Sequence, residues 1–222
     1  EMAAQGDLVR VLTHEIMNSL TPVTSLARSA VSLLDDDGAA ARRDAHMAID
    51  TLARRAEGLS RFVDSYRSFA QTPEVRARRF EAQAWASEIV QLARADPRMA
   101  DIDLAAEIEA GAMIDGDPDL LAQVIINLLR NAATAAWGAR PDPAIRLTIA
   151  RTRGGRIAIV VADNGPGIPP DRADDVFLPF YTTKADGNGV GLSFARQVVV
   201  AHNGLIAVEQ APAGGALFRI LI

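Results

Sequence analysis

Residues 117–136 read DPDLLAQVIINLLRNAATAA. Asp117 is placed to cap a helix and Pro118 to start it, because the first helical turn needs a side-chain acceptor and tolerates a residue without an N–H. Leu120, Leu121, Val124, Leu128, Leu129 and Ala132 recur at helical spacing and form a broad apolar arc. Asn127 and Asn131 stack four residues apart at one edge of that arc. Asparagine forms helices poorly and is costly to bury without partners. The pair therefore has two readings: surface or capping residues, or carboxamides facing a cleft where they meet a polar ligand or a hard cation such as Mg²⁺.

Working outward, AIRLTIAR (144–151) and RIAIVVAD (156–163) read as strands, as do LIAVEQ (205–210) and ALFRILI (216–222). Helices are expected near 82–95 and 189–202 and a further strand near 102–108. Mixed helices and strands imply an α/β sandwich over residues 79–222. Asp163 closes a buried strand, where a carboxylate can accept a hydrogen bond from a ligand amine. Gly165 and Gly167 follow it and remove side chains where a ring must come close. A Gly/Pro-rich loop spans 164–188, and Gly187, Gly189 and Gly191 then lead into a helix whose first N–H groups can face phosphate. The dinucleotide fingerprint does not apply, since no strand immediately precedes these glycines.

The polar stretch QTPEVRARR (71–79) marks a linker, assigned to 73–78. Before it, residues 1–72 carry helical periodicity broken once, by LLDDDGAAARRD (33–44), which predicts two helices, about 2–35 and 41–71, folded into an antiparallel hairpin. A lone hairpin cannot cover its own apolar stripe, so a four-helix bundle made by two copies is expected. On the first helix Leu8, Leu12, Ile16, Ser19, Val23, Leu26, Ala30, Leu33 and Leu34 share the covered face. At ~100° per residue His14 lies about 240° from Leu8, nearly opposite that face. An inert surface imidazole fits that position. So does a nucleophile: Glu15 beside it can hold one ring proton and orient the other nitrogen outward. Asn18 is one turn on, and Pro22, which cannot donate to the carbonyl of Asn18, is expected to bend the helix just past this polar stripe.

The chain has 222 residues, 49% hydrophobic and 23% charged, which is ordinary for a globular protein. No run approaches the ~18 apolar residues of a membrane span. With no cysteine and three histidines, disulfides are excluded and a structural zinc site is not expected. A net charge of −5 offers no footprint for nucleic acid. The fragment is expected to work in the cytoplasm, whatever anchors its parent.

Taken in order, these stretches resemble the catalytic core of a bacterial sensor histidine kinase. HEIMN (14–18) is similar to the H box, NLLRNAATA (127–135) to the N box and DNGPGIP (163–169) to the G1 box. FLPFYTTK (177–184) is similar to the F box, GNGVGLSFA (187–195) to the G2 box and GGALF (214–218) to the last glycine-rich box. HEIMNSLTPV (14–23) is nearest the nitrogen-regulation type.

The resemblance implies an α+β chain: a helical hairpin forming a dimeric four-helix bundle, then a sandwich of the histidine kinase, gyrase and chaperone ATPase type. It further implies that His14 accepts the γ-phosphoryl group of ATP with Glu15 as general base, and that Asn131 binds Mg²⁺ with Asn127 nearby. Asp163 would contact the adenine amine, and Gly165, Gly167, Gly187, Gly189, Gly191 and Leu192 would shape the nucleotide pocket. Lys184 would reach the phosphates, and Asn18 would serve a regulator phosphatase. The partners implied are a second copy of the chain and the receiver domain of a response regulator. Phe177 and Phe180 would anchor a movable lid, or pack in the core.

The chain departs from the pattern at three places. Ser19 stands where a proline is common, Ala216 and Leu217 stand where the last box usually has threonine, and no basic residue follows the N box, which leaves Arg130 or Lys184 to supply positive charge. Related ATPases activate water with a glutamate where Asn127 stands, and an amide cannot serve as that base.

Overall fold

The computed structural model describes residues 21–35, 38–70, 73–183, 189–212 and 214–222, with backbone alone at Ala39 and over 58–70. It divides into two compact units, Glu1–Arg67 and Ser68–Ile222.

In the first unit, residues 21–34 are helical (α1) and a second helix, α2, runs over Ala39–Ala70. Small residues line the covered side: Ala30, Ala41 and Ala45 are buried. Larger apolar residues are left outside in the single chain. Val31 and Met47 are each 62% exposed, and Leu34, expected on the covered face, is 58% exposed. The bend expected at Pro22 depends on residues 14–18, which lie outside the described residues.

In the second unit, strands β1 (Arg78–Glu81) and β3 (Met113–Gly116) form a two-stranded antiparallel sheet. The main sheet contains β2 (Asp103–Ile108), β4 (Ala144–Arg151), β5 (Ile157–Asp163), β6 (Leu205–Gln210) and β7 (Ala216–Leu221), in the order β2-β4-β5-β7-β6. Only β2 and β4 run parallel; the other pairs are antiparallel. Helices α3 (Ala82–Arg94), α4 (Pro118–Ala136) and α5 (Gly191–Ala201) supply the apolar faces that the sheet buries.

The pleat decides what faces those helices. Along β5, Ile157, Ile159, Val161 and Asp163 are buried, while Ala158, Val160 and Ala162 alternate with them and are half-buried. Asp163 thus falls on the core side of the sheet, in line with three aliphatic residues. α4 fills the centre: Leu121, Val124, Ile125, Leu128 and Leu129 are fully covered. Trp85 of α3 packs on Phe80 and donates its indole N–H to the Pro118 carbonyl at 3.0 Å, so its one polar atom is satisfied inside the core. The sheet of β1 and β3 escapes sequence reading, because each strand is four residues long and neither alternates cleanly.

Candidate functional site

α4 starts as its sequence dictates. Asp117 Oδ1 accepts from the N–H groups of Asp119 and Leu120, at 3.0 and 3.1 Å. Its Oδ2 accepts from the N–H of Arg76 at 2.9 Å. Burial pushes the carboxyl upward in pKa, but these backbone donors outweigh it and leave Asp117 below the usual carboxylate value.

Three turns along, Asn127 and Asn131 are half-buried on one side of the helix. Asn127 Nδ2 donates to the Gly191 carbonyl at 2.7 Å, which ties α4 to the first residue of α5. Arg130, between the two asparagines, turns elsewhere. Its guanidinium reaches Asp96 at 3.3 Å, and Asp96 also binds the side chain and N–H of Arg98. The Arg98 hydrogen bonds, helped by the charge of Arg130, hold Asp96 far below the usual carboxylate range. Arg130 therefore does not supply the positive charge expected of it at the asparagines. Lys184, the other candidate, lies outside the described residues.

Asp163 is the most deeply buried acid among the described residues. It is 5% exposed, and burial raises its pKa against the pull of two backbone donors. Gly165 N–H reaches Oδ1 at 2.8 Å and Ala216 N–H reaches the same atom at 3.2 Å. Oδ2 receives no hydrogen bond among the described residues. One oxygen is thus held by the protein and the other is available to a ligand donor.

The glycines around this acid are needed for protein packing. A Cβ on Gly215 would fall 2.1 Å from the Asp163 carbonyl oxygen, and Gly215 has φ +85. A Cβ on Gly165 would sit 2.7 Å from the Ala135 carbonyl oxygen of α4. At Gly191 the Asn127 side chain already fills the space, 2.6 Å away. Within the protein, the close approaches at Gly165 and Gly191 come from α4, and that at Gly215 comes from β5. The last glycine box reaches Asp163 through the backbone of Ala216, so the missing threonine removes nothing from this contact.

The segment after β5 forms two short 3-10 turns, Pro170–Arg172 and Asp175–Phe177. Phe177 is buried, edge-on to Phe218 with centroids 6.2 Å apart, and Arg196 of α5 lies over its ring at 5.8 Å. Core packing accounts for Phe177. Phe180 has φ 65, and a Cβ on Gly189 would come within 2.4 Å of its backbone, so these two residues meet backbone to backbone. Gly189 and Gly191 lead into α5, where Leu192 packs partly buried against the core. His14, Glu15, Asn18 and Gly187 lie outside the described residues.

The structure thus brings Asn127 together with Gly191, and Asp163 together with Gly165 and the 215–216 turn. It also reveals a contact with no sequence signal beyond a lone histidine at a helix end: Asp117 N–H donates to His202 Nε2 at 2.9 Å.

Residues 116–222 match the family described as histidine kinase-, DNA gyrase B-, and HSP90-like ATPase. The chain is 31% identical over 223 residues to the sensor histidine kinase ZraS of Klebsiella oxytoca, covering 100% of this chain and 46% of the relative. It is 28% identical over 223 residues to the sensor protein FixL of Bradyrhizobium diazoefficiens, covering 100% of this chain and 44% of that protein. The chain therefore spans about half the length of these curated relatives. The solved catalytic domain of the histidine kinase ThkA matches at 28% identity and TM-score 0.59, covering 66% of this chain and 95% of that one. A solved complex of ThkA with the response regulator protein TrrA matches 100% of this chain and 62% of that one, at TM-score 0.74 and 23% identity, and speaks for the fold.

Proposed function

We propose that this chain, whose residues 116–222 match the histidine kinase-, DNA gyrase B-, and HSP90-like ATPase family, is a histidine kinase catalytic core that transfers the γ-phosphoryl group of ATP to its own His14. The observation that carries the nucleotide half of this reading is Asp163. It is a buried carboxylate with Oδ1 fixed by two backbone donors and Oδ2 left for a donor such as the adenine amine. In the transfer, the bond from the γ-phosphorus to the bridging oxygen breaks and a bond to a ring nitrogen of His14 forms. ADP leaves with the electron pair, and Glu15 takes the imidazole proton.

Asn131 is the residue proposed to hold Mg²⁺. Among the described residues no cluster of three or more His, Asp and Glu side chains forms a metal cage. One carboxamide oxygen at a half-buried helix edge fits a cation bound chiefly through substrate phosphates and water. When bound, Mg²⁺ neutralises charge on the phosphates.

The exposed Val31, Leu34 and Met47 support a hairpin that is completed by a second copy. The next acceptor is proposed to be an aspartate in a response regulator receiver domain, in keeping with the ThkA complex. The proposed site of action is the cytoplasm; among the described residues no helix is long and apolar enough to cross a membrane.

Incubation with γ-labelled ATP and Mg²⁺ tests the reading. Acid-labile, base-stable label is expected on the wild type and none on His14→Gln, with ATP affinity of the variant within about threefold of wild type, since the changed residue lies far from the nucleotide residues in sequence. Acid-labile label that persists on His14→Gln would show that another residue is phosphorylated.

A further inference from the structure

α4 and α5 are antiparallel and pinned at two points. At one end Asn127 Nδ2 donates to the Gly191 carbonyl at 2.7 Å. At the other, Asp117 N–H donates to His202 Nε2 at 2.9 Å, and Nδ1 of the same ring is 2.7 Å from the Val198 carbonyl. A carbonyl only accepts and a backbone N–H only donates, so Nδ1 must carry the proton and Nε2 the lone pair. One tautomer, the neutral Nδ1–H form, satisfies both partners. The ring has room because residue 116 is glycine: a Cβ there would fall 3.0 Å from His202 Cδ2 and 2.9 Å from Leu121 Cδ1.

Neither helix needs this contact to end properly. α4 is already capped by Asp117 Oδ1. α5 is closed by its own backbone, with His202 N–H on the Val198 and Val199 carbonyls and Gly204 N–H on the Val199 carbonyl. The imidazole adds a relation between the helices. Asp117 and Asn127 are ten positions apart on α4, and Gly191 and His202 eleven apart on α5. At a rise of ~1.5 Å per residue these are spans of about 15 and about 16.5 Å. The two pins therefore match in length and fix one axial register. Asp117 also holds the Arg76 N–H, so the chain entering the unit is fastened to the same point.

We propose that Asp117 and His202 are the positioning pair of the nucleotide site. Their hydrogen bond sets the axial register of α5 on α4, and so fixes where Gly189 and Gly191 stand relative to Asn127 and Asn131. This rests on the nucleotide-binding reading given above. Misplacement of a binding group by about 1 Å is enough to weaken what it holds.

The test uses the full chain with His202→Phe, His202→Gln and His202→Asn. Phenylalanine keeps the bulk and removes both polar contacts. Glutamine places Oε1 near the position of Nε2 and restores the acceptor for Asp117; asparagine restores only the donor to Val198. ATP binding with Mg²⁺ is measured by calorimetry well below the melting temperature, alongside amide hydrogen exchange. His202→Phe and His202→Asn should raise the Kd for ATP about tenfold and speed exchange at residues 190–194, the distant end of α5. His202→Gln should stay within about twofold of wild type in both. Should His202→Phe fail to fold, the Gln and Asn pair carries the same comparison. Wild-type affinity in a folded His202→Phe or His202→Asn, faster exchange confined to residues 198–204, or equal behaviour of Gln and Asn would overturn the proposal. A wild type that binds no ATP would overturn the nucleotide reading instead, and the exchange pattern would still decide the pair.

Discussion

Replacing Asp163 by asparagine isolates the atom proposed to meet the base. The new carboxamide keeps an oxygen where Oδ1 now accepts from Gly165 and Ala216, and those two donors dictate which way the amide lies. Its nitrogen then points where Oδ2 pointed, so a ligand amine would meet a donor in place of an acceptor. A hydrogen bond to a charged group contributes about 1.5–3 kcal/mol, so ATP affinity should fall between about tenfold and about a hundredfold. Guanine carries a carbonyl where adenine carries the amine, so GTP affinity should hold or rise.

Stability should move the other way. Burial raises the pKa of Asp163 above its ordinary 3.8, so the folded state takes up protons more readily than the unfolded state. The resulting penalty is absent below the ordinary value, grows as pH rises through the raised folded value, and is complete above it. Ligand-free Asp163→Asn should therefore melt at or above wild type at neutral pH, and the difference should vanish in acid. Calorimetry with both nucleotides and melting curves across pH read all of this. Equal loss of ATP and GTP affinity, or loss of neither, would refute the assignment of Oδ2 to the base.

Asn131→Ala should leave the fold intact, since alanine favours helix, and should cut the gain in ATP affinity on adding Mg²⁺ by about tenfold; titrations with Mg²⁺ and with a chelator measure it. Asn18→Ala should keep phosphorylation of His14 and lose dephosphorylation of the partner regulator, because the amide is proposed to position a water and carries no proton in the forward transfer; both activities are read on one preparation. Gly215→Ala should melt far below wild type and bind no nucleotide, because its Cβ would fall 2.1 Å from the Asp163 carbonyl oxygen. Gly111→Ala, with φ +69 and nothing within 4 Å, should cost only the left-handed backbone strain of about 1–2 kcal/mol.

The elements of the second unit were legible where periodicity was long. α4 was readable from its cap to its arc, and β5 from its unbroken apolar run up to Asp163. β1 and β3 were hidden, because four-residue strands such as RRFE and MIDG carry too few side chains to show a period. Gly165 was legible as a site of close approach; the Ala135 carbonyl beside it was not, since it comes from the end of α4. Arg130 was misjudged for the same reason. Sequence places it between two asparagines, but Asp96, which captures it, comes from a turn 34 residues earlier. His202 had no signal, as its partner is an N–H group 85 positions away.

That separation also has a consequence for how the chain is made. Arg76 and Asp117 are 41 positions apart, and Asp117 and His202 are 85 apart. A chain growing from its N-terminus can cap α4, and fasten Arg76 to that cap, as soon as residue 120 is free. The histidine that sets the register, and β7, which pairs with β5 on the side away from β4, are then still to come. Through that interval the apolar face of α4 has no α5 beside it. Contacts this distant along the chain close late and slowly, so the nascent unit is most exposed to aggregation between the emergence of α4 and that of residues 202–221. A synthesis pause there would lengthen the exposure, and a chain ending before residue 202 would keep a capped, linker-bound helix without the Asp117–His202 pin of its register.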